Sequence, residues 1–175
     1  MLHIGQRGYV STDTFLMILP FHYTCSRNTY KFYKKRAQED KVFSAKTKGK
    51  RQSLILTTSG RLLISAIIPE TILKRALQEG LQMLNVGHGF YINVNEIDFI
   101  LPFNIKSNSF YINAIKEKRL DDELIDTTAG KTPRSIIVTK SGEGVLSSIT
   151  PQTLVRRLKN GGVSGQAKDQ VQKIN

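Results

Sequence analysis

Six basic residues in two polar loops are the side chains of this chain best suited to carry a chemical function. They are Lys46, Lys48, Lys50, Arg51, Lys131 and Arg134. Long cationic side chains on a loop reach phosphate groups without disturbing a folded core. The first four form a dense cluster around a glycine, and the last two stand at the equivalent place in the second half of the chain. The loops therefore predict contact with nucleic-acid phosphates, with a solvated turn as the alternative.

A second basic group lies on a predicted helix. Its members are Lys31, Lys34, Lys35 and Arg36, and they alternate with Tyr30 and Tyr33. The alternation fits a second phosphate-binding patch and an ordinary amphipathic helix equally well. Both interpretations stay open at this point.

Other chemistry finds little support in the sequence. The triplet Gly130-Lys131-Thr132 invites a phosphate-loop interpretation, but Ile125 occupies the position of the required first glycine. Pro133 and a β-prone run follow the triplet, where that motif needs a helix. No Ser/His/Asp or Cys/His set emerges, so the sequence predicts no catalytic residues and no enzyme activity.

Metal ligation is equally unsupported, and no cofactor is expected. The three histidines His3, His22 and His88 lack metal-site spacing, and Cys25 has no partner cysteine. Glu96 and Asp98 alternate, which predicts that both point to one face of a strand. They could hold a cation weakly, but a solvated face is the alternative that we favour.

The charge distribution favours a polyanionic partner. The chain of 175 residues has a net charge of +12. Residues 1–80 contain 14 Lys and Arg against 5 Asp and Glu, whereas residues 81–159 contain 10 against 8. So uneven a positive field attracts DNA, RNA or an anionic membrane surface. The first half should therefore supply most of the electrostatic attraction.

The elements that position these residues occur twice. Ile-Leu-Pro-Phe at residues 18–21 recurs at residues 100–103, and the same ungapped offset of 82 aligns 76 residue pairs, of which 19 are identical. A repeat of this length predicts two copies of one small domain. We expect copies at residues 1–80 and 81–159, followed by a flexible tail at 160–175 with few apolar residues.

Each copy predicts the same α+β order of elements. Short β-prone segments open the copy, and an apolar run at 15–19 or 97–101 predicts a buried strand ended by Pro20 or Pro102. A central helix is expected at about 28–40 and 110–122. A short strand, the basic loop, a hairpin turned at Ser59-Gly60 or Ser141-Gly142, and a helix opened by Pro69 or Pro151 complete the copy.

Two bulk features bear on assembly and location. A copy of about 80 residues has a thin core, so association with neighbours is a plausible source of stability. No apolar run approaches the roughly 20 residues that cross a bilayer, and the start lacks the features of a signal peptide. The single cysteine fits a reducing cytoplasm.

Two stretches of the chain resemble a known family. Residues 124–138, Leu-Ile-Asp-Thr-Thr-Ala-Gly-Lys-Thr-Pro-Arg-Ser-Ile-Ile-Val, resemble the L-I-D-A-T-x-G-R-R-T-R-A segment of the RemA/RemB regulators of the bacterial biofilm matrix. The endings at 64–76 and 146–158 are similar to that family's L-S-A-[VI]-x-P-E-T-[VL]-x-x-R-L motif. The opening Leu-His-Ile-Gly at residues 2–5 is similar to RemB. The resemblance covers nearly both copies.

The resemblance implies a non-enzymatic transcriptional regulator with a small LytTR-like fold, assembled into rings that bind duplex DNA. The family's two loop arginines fall on Lys131 and Thr132, and in the first copy on Gly49 and Lys50, or on Lys50 and Arg51 after a slip of one residue. A third family arginine falls on Thr14 and Glu96, where Glu96 reverses the charge. Direct DNA contact by the second copy is therefore less expected than contact by the first.

Together with this resemblance, the sequence predicts a homo-oligomeric DNA-binding protein that forms a ring, with no membrane or small-molecule partner. The sites expected to bind DNA are the six loop residues given first. A scaffold ring that binds protein partners, or an RNA-binding protein, is the alternative.

Overall fold

The structure is a computed structural model, and it describes residues 1–6, 8–22, 27–45, 49–103 and 124–161. The predicted second central helix at 110–122 lies outside the described residues, as does the predicted tail from residue 162 onward. Lys46 and Lys48 also lie outside them. The chain is α+β and strand-rich, with two copies of one domain.

The two copies follow one topology through the offset of 82, as the sequence predicts. The first copy contains β1 (Leu2–Gly5), β2 (Gly8–Val10), β3 (Phe15–Pro20), α1 (Arg27–Gln38), β4 (Val42–Ser44), β5 (Ser53–Thr57), β6 (Leu62–Ser65) and α2 (Pro69–Gln78). The second contains β7 (Met83–Gly87), β8 (Phe90–Asn93), β9 (Ile97–Pro102), β10 (Leu124–Asp126), β11 (Ser135–Thr139), β12 (Gly144–Ser147) and α3 (Pro151–Lys159). The repeated Ile-Leu-Pro-Phe therefore occupies the same strand in each copy.

A short 3-10 turn that the sequence did not reveal precedes β3 and β9. The turns span Thr12–Thr14 and Val94–Glu96, and the side chains of Ser11 and Asn93 cap them by accepting backbone N–H bonds. Glu96 consequently ends a turn. The prediction that it alternates with Asp98 along one strand is wrong, because the strand begins only at Ile97.

The buried face of α1 differs from the predicted one. Phe32 is buried as expected, but Tyr30 and Ala37 are exposed. Thr29 and Arg36 are buried instead, and with Phe32 they form a stripe at the helical spacing i, i+3, i+7. A polar and a charged residue lie on the inner face because this face contacts the second copy, as described below.

The opening hairpin of each copy is fixed to its own closing helix by matching contacts. Arg75 on α2 donates to the His3 carbonyl (2.9 Å), and Arg157 on α3 donates to the Asn85 carbonyl (2.8 Å). The hydroxyl of Ser65 donates to the Ile4 carbonyl. Its counterpart in β12, Ser147, donates to the Val86 carbonyl in the same way. The direction of each hairpin is therefore set within its own copy.

The two copies share a sheet. The hairpin β7–β8 of the second copy extends the sheet of the first, in the order β4-β6-β5-β3-β8-β7. The joint is an antiparallel pairing of β3 with β8, with Met17 opposite Ile92 and Ile18 opposite Tyr91. The rest of the second copy forms a separate sheet of order β10-β12-β11-β9, and β1–β2 stands apart as a two-stranded sheet.

A common core and buried polar contacts reinforce this joint. One buried apolar cluster combines Leu16 and Phe32 of the first copy with Phe90 and Ile125 of the second. On α1, the Thr29 hydroxyl and the backbone of Asp126 exchange hydrogen bonds of 3.3 and 3.2 Å. The joint is thus part of one continuous buried core and contains polar contacts of its own.

Asn93 offers a direct test of the joint. Its side-chain amide donates to the buried Phe15 carbonyl (2.9 Å) while its oxygen accepts from the Asn95 backbone. We expect Asn93→Ala to lower the free energy of unfolding by about 1–3 kcal/mol, because it leaves a buried carbonyl unsatisfied. Ser11→Ala removes only the equivalent cap and should cost less than about 1 kcal/mol. Equal losses for the two variants in urea denaturation would contradict this assignment.

Candidate nucleic-acid interface

The basic loop of the first copy lies at the start of the hairpin β5–β6. Lys50 and Arg51 are exposed, and the loop is tied to the sheet by a bond from the Gln52 N–H to the Ser65 carbonyl (2.9 Å). The guanidinium carbon of Arg51 lies 5.6 Å from the centre of the Phe21 ring, which restrains this side chain without neutralising it. The side chains of Lys50 and Arg51 are therefore exposed to solvent on a loop that is hydrogen-bonded to the sheet.

The basic loop of the second copy is held by hydrogen bonds between its own residues. Asp126 accepts bonds from the backbone N–H and the hydroxyl of Thr128 (2.8 and 2.7 Å), and the Lys131 N–H donates to the Thr128 carbonyl. Ala129 adopts a left-handed φ of 52° within this turn. Lys131 and Arg134 are exposed beyond it. A strand follows the loop, so the rejection of a phosphate-loop motif at residues 130–132 is confirmed.

Both loops lie at one end of the molecule, which we call the loop end and define as residues 49–52, 87–89 and 127–134. Pro20 pairs with Ser53, next to the first loop. A Cβ on Gly89 would lie 3.3 Å from the Pro20 ring, and one on Gly87 would lie 3.7 Å from the Thr127 carbonyl oxygen. The turn between β7 and β8 thus connects the first loop to the second.

The N-termini of α2 and α3 also lie at the loop end. The hydroxyls of Ser53 and Ser135, each beside a basic loop, donate to the carbonyls of Ile67 and Ile149, just before the helices begin. A helix N-terminus carries a partial positive charge. Glu70 opposes that charge in the first turn of α2, whereas the first turn of α3 contains no acid. The helix dipoles therefore add to the positive field mainly on the side of the second copy.

Glu96 lies away from this site. It precedes β9, whose first residue pairs with Thr139 and whose last residue, Pro102, pairs with Ser135 beside the second loop. The five residue steps of this strand separate Glu96 from the loop by about 17 Å. The charge reversal at Glu96 therefore does not face Lys131 or Arg134 across the loop end.

The second basic patch predicted on α1 is only partly available. Lys31 and Lys34 are exposed, but Arg36 is 9% exposed and engaged with acids. Its Nη1 lies 3.4 Å from Glu39 and its Nη2 lies 3.7 Å from Glu143 of the second copy. Arg36 consequently belongs to the joint between the copies and does not contribute to a phosphate-binding patch, so at this residue the interpretation as an amphipathic helix face holds.

Sequence reasoning missed Glu143. This carboxylate is 4% exposed and accepts bonds from the hydroxyls of Thr139 (2.7 Å) and Ser141 (2.5 Å). A glutamate in a Ser-Gly-Glu-Gly turn has the signature of a solvated residue. The available signal in the sequence is a comparison of the two copies. Arg61 occupies the equivalent place in the first copy, so the charge at this position is reversed between the copies.

The joint also perturbs Tyr91. Burial, followed by the negative charge of Glu70, raises the pKa of this phenol. The folded chain therefore favours the neutral phenol, and its stability falls as the pH rises from the ordinary pKa of tyrosine to the raised pKa of Tyr91, because the unfolded phenol ionises first.

The described residues contain no group of three or more side chains able to hold a metal ion. Among the helices of the same ranges, none has the length and apolarity needed to cross a membrane.

Comparison with known proteins places the chain. The sequence profile of the RemA-like family, described as "Extracellular matrix regulatory protein A-like", matches residues 1–76 and again residues 83–158. A protein of Alkaliphilus oremlandii is 32% identical over 81 residues, which cover 46% of this chain and 84% of that protein. A protein of Brevibacillus brevis is 31% identical over 78 residues, covering 45% and 87%. A protein of Crocosphaera subtropica is 32% identical over 79 residues, covering 45% and 84%.

All three relatives carry provisional names as regulatory proteins, and each aligns with about one copy of the repeat. The chain belongs to the RemA-like family and contains the family's domain twice.

Proposed function

We propose that this protein is a non-enzymatic regulator that binds duplex DNA through its basic loops and assembles from several chains into a ring of LytTR-like domains. The observation that supports it best is the position of the two basic loops at one end of the molecule. The regulatory names of the relatives agree with this role.

The electrostatics of the loop end suit phosphate contact. Lys50, Arg51, Lys131 and Arg134 are exposed, and none of them forms an ion pair with another described residue. Residues 1–80 alone carry a net charge of +9. Cations that are not neutralised internally release counterions from DNA when they bind, which is the main source of non-specific affinity.

The described helices do not present an evident recognition element. The outer face of α1 carries Lys31 and Lys34, while α2 and α3 pack on the opening hairpins through Arg75 and Arg157. We therefore assign sequence preference to the shape and bending of DNA along an assembled series of loops.

Ring assembly would multiply the number of loops in contact with one duplex. Joining two domains in one chain raises their effective concentration and removes one association step. We accordingly expect about half as many chains as a ring of single-domain subunits would need.

The test is the binding of a fluorescent duplex at 50 and 200 mM salt, with an RNA duplex and a single-stranded RNA as competitors. Four phosphate contacts per chain predict that affinity falls by at least about 100-fold between these salt concentrations. A salt-independent or absent signal from a folded protein would favour the scaffold role. Preferential displacement by RNA would instead support the alternative RNA-binding role, for which stacking aromatics would be needed.

A further inference from the structure

The closing helix of the second copy, α3, exposes a basic face that its counterpart α2 lacks. This face consists of Gln152, Arg156 and Lys159, which are exposed and lie on one side of the helix at the spacing i, i+4, i+7. Residues 151–161 contain three cationic side chains and no acid, whereas the equivalent residues 69–79 contain two cations and two acids. The net charges of the two segments are therefore +3 and 0.

The difference arises at individual positions that the offset of 82 relates. Gln152 stands where α2 has Glu70, and Lys159 stands where α2 has the exposed Leu77. Glu79, the acid that follows α2, has a glycine as its counterpart. These changes run against the charge of the whole copies, because residues 1–80 are the more basic half of the chain. The basic face is therefore a local feature of α3 and does not follow from the general basicity of the protein.

The packing of α3 directs this face to solvent. On the opposite side of the helix, Leu154 is fully buried in the common core, and Arg157 donates to the Asn85 carbonyl (2.8 Å). These two contacts fix the rotation of the helix about its axis. Within the part of the chain that the structure describes, neither Arg156 nor Lys159 forms an ion pair. Both cations are thus available to a polyanion.

The electrostatics of the helix agree with an uncompensated positive charge. The pKa of Arg157 is lowered, first by burial and second by the positive charge of Arg156. No acid within α3 reduces this repulsion. An anion bound along the outer face would reduce it, because it brings negative charge next to both guanidinium groups.

The basic face continues the second basic loop. The hydroxyl of Ser135, which follows Arg134 in the chain, donates to the Ile149 carbonyl (2.8 Å) just before α3 begins. From Gln152 to Lys159 the helix then rises by about 10 Å. A path of cations therefore starts at the loop end and runs along the outside of the second copy.

We infer that the basic face of α3 binds the phosphates of the duplex DNA that flanks the segment held at the loop end. The inference rests on the proposed function and adds a path for the DNA beyond the loops. Arg156 and Lys159 supply charge, and the amide of Gln152 is a neutral donor to a phosphate oxygen. In the first copy, Glu70 opposes phosphate at the equivalent place on α2.

This path gives the bend of the DNA a direction. A duplex that follows the path leaves the loop end toward the second copy and away from α2. Bending costs free energy that depends on the base sequence of the bent segment, and the added phosphate contacts offset that cost. The α3 contacts therefore link the phosphate-binding charges of this protein to its preference among DNA sequences.

The first experiment removes the two cations of the basic face and compares the loss with a matched control. Arg156→Ala with Lys159→Ala is set against Lys74→Ala with Lys140→Ala, which takes the same charge from exposed positions outside the path. Binding is measured over a series of salt concentrations. The DNA is a duplex of about four helical turns or a duplex of about one turn, roughly 34 Å long.

On the long duplex, the α3 pair of substitutions should reduce affinity at least about 10-fold at about 0.1 M salt and lower the salt slope by about two units. The control pair should leave the slope almost unchanged. On the short duplex, which the loops hold by themselves, the α3 pair should cost less than about 2-fold. Equal losses for the two pairs on the long duplex, or equal losses for the α3 pair on both duplexes, would overturn the inference and leave the proposed function intact. Failure of the unaltered protein to bind any duplex would reject both.

The second experiment locates the flanking DNA in a Cys25→Ser background. Gln78→Cys and Asn160→Cys each carry an iron chelate that cleaves nearby DNA, at equivalent exposed positions that follow from the offset of 82. Both variants keep every cation of the loops and of α3. We expect cleavage from position 160 just outside the segment that the loop end protects, and much weaker cleavage from position 78. Equal cleavage from both positions, or none from position 160 while DNA stays bound, would reject the path.

Discussion

Replacing Lys50 and Arg51 together by alanine should reduce the affinity for duplex DNA on the order of 50-fold at 0.1 M salt and lower the salt slope by about two units. Both side chains are exposed at the loop end, and Arg51 is held near the Phe21 ring. Lys131→Ala with Arg134→Ala should reduce affinity less, because the first copy carries most of the net charge. Affinity measured over a series of salt concentrations provides both quantities.

A matched control separates these contacts from general charge. Lys74→Ala with Lys140→Ala removes the same charge from exposed positions on α2 and at the far end of the second copy. It should leave the slope almost unchanged. If the Lys131 and Arg134 pair abolishes binding while the Lys50 and Arg51 pair leaves affinity and slope intact, the asymmetric site is wrong.

Glu143→Gln should lower the free energy of unfolding by about 1–3 kcal/mol. The substitution keeps the shape of the side chain but removes the buried one of the two carboxylates that face Arg36, whose Nη1 still lies 3.4 Å from Glu39. Arg36 is poorly placed to compensate, because its Nε already has no hydrogen-bond partner in the described part of the chain. Urea denaturation monitored by circular dichroism measures the change.

Two further variants make this prediction specific. Arg61→Gln changes the exposed counterpart of Glu143 and should cost less than about 1 kcal/mol. Arg36→Met combined with Glu143→Gln removes both charges, and it should be clearly less destabilising than the sum of the single changes. Additive single changes would show that the pair does not couple the two copies.

The order of elements within each copy was predictable because its signals are local. Apolar runs closed by Pro20 and Pro102, the glycines at residues 60 and 142, and the prolines that open α2 and α3 each act over a few residues. Each signal occurs again 82 residues later, which supports the assignment of the same element in both copies. The α1 stripe was misplaced because its inner face meets another copy, which selects Thr29 and Arg36 over Tyr30.

The sharing of the sheet was not predictable from one copy. The residue patterns of β2 and β8 are alike, and neither pattern indicates that β8, and not β2, pairs with the long buried strand of the other copy. The loops were identifiable from their lysines and arginines, but their position at one end depends on the contact of Gly89 with Pro20. Glu143 was missed for a similar reason, since its burial comes from α1, more than a hundred residues earlier in the chain.

The central claim is that assembled chains bind DNA as a unit, and the mass of the unaltered protein in solution with and without a duplex tests it most directly. The account predicts a mass of several chains without DNA, and the same assembly plus duplex once DNA is added at low salt. A single chain at all micromolar concentrations, or an assembly whose mass does not change when DNA is added, would contradict it.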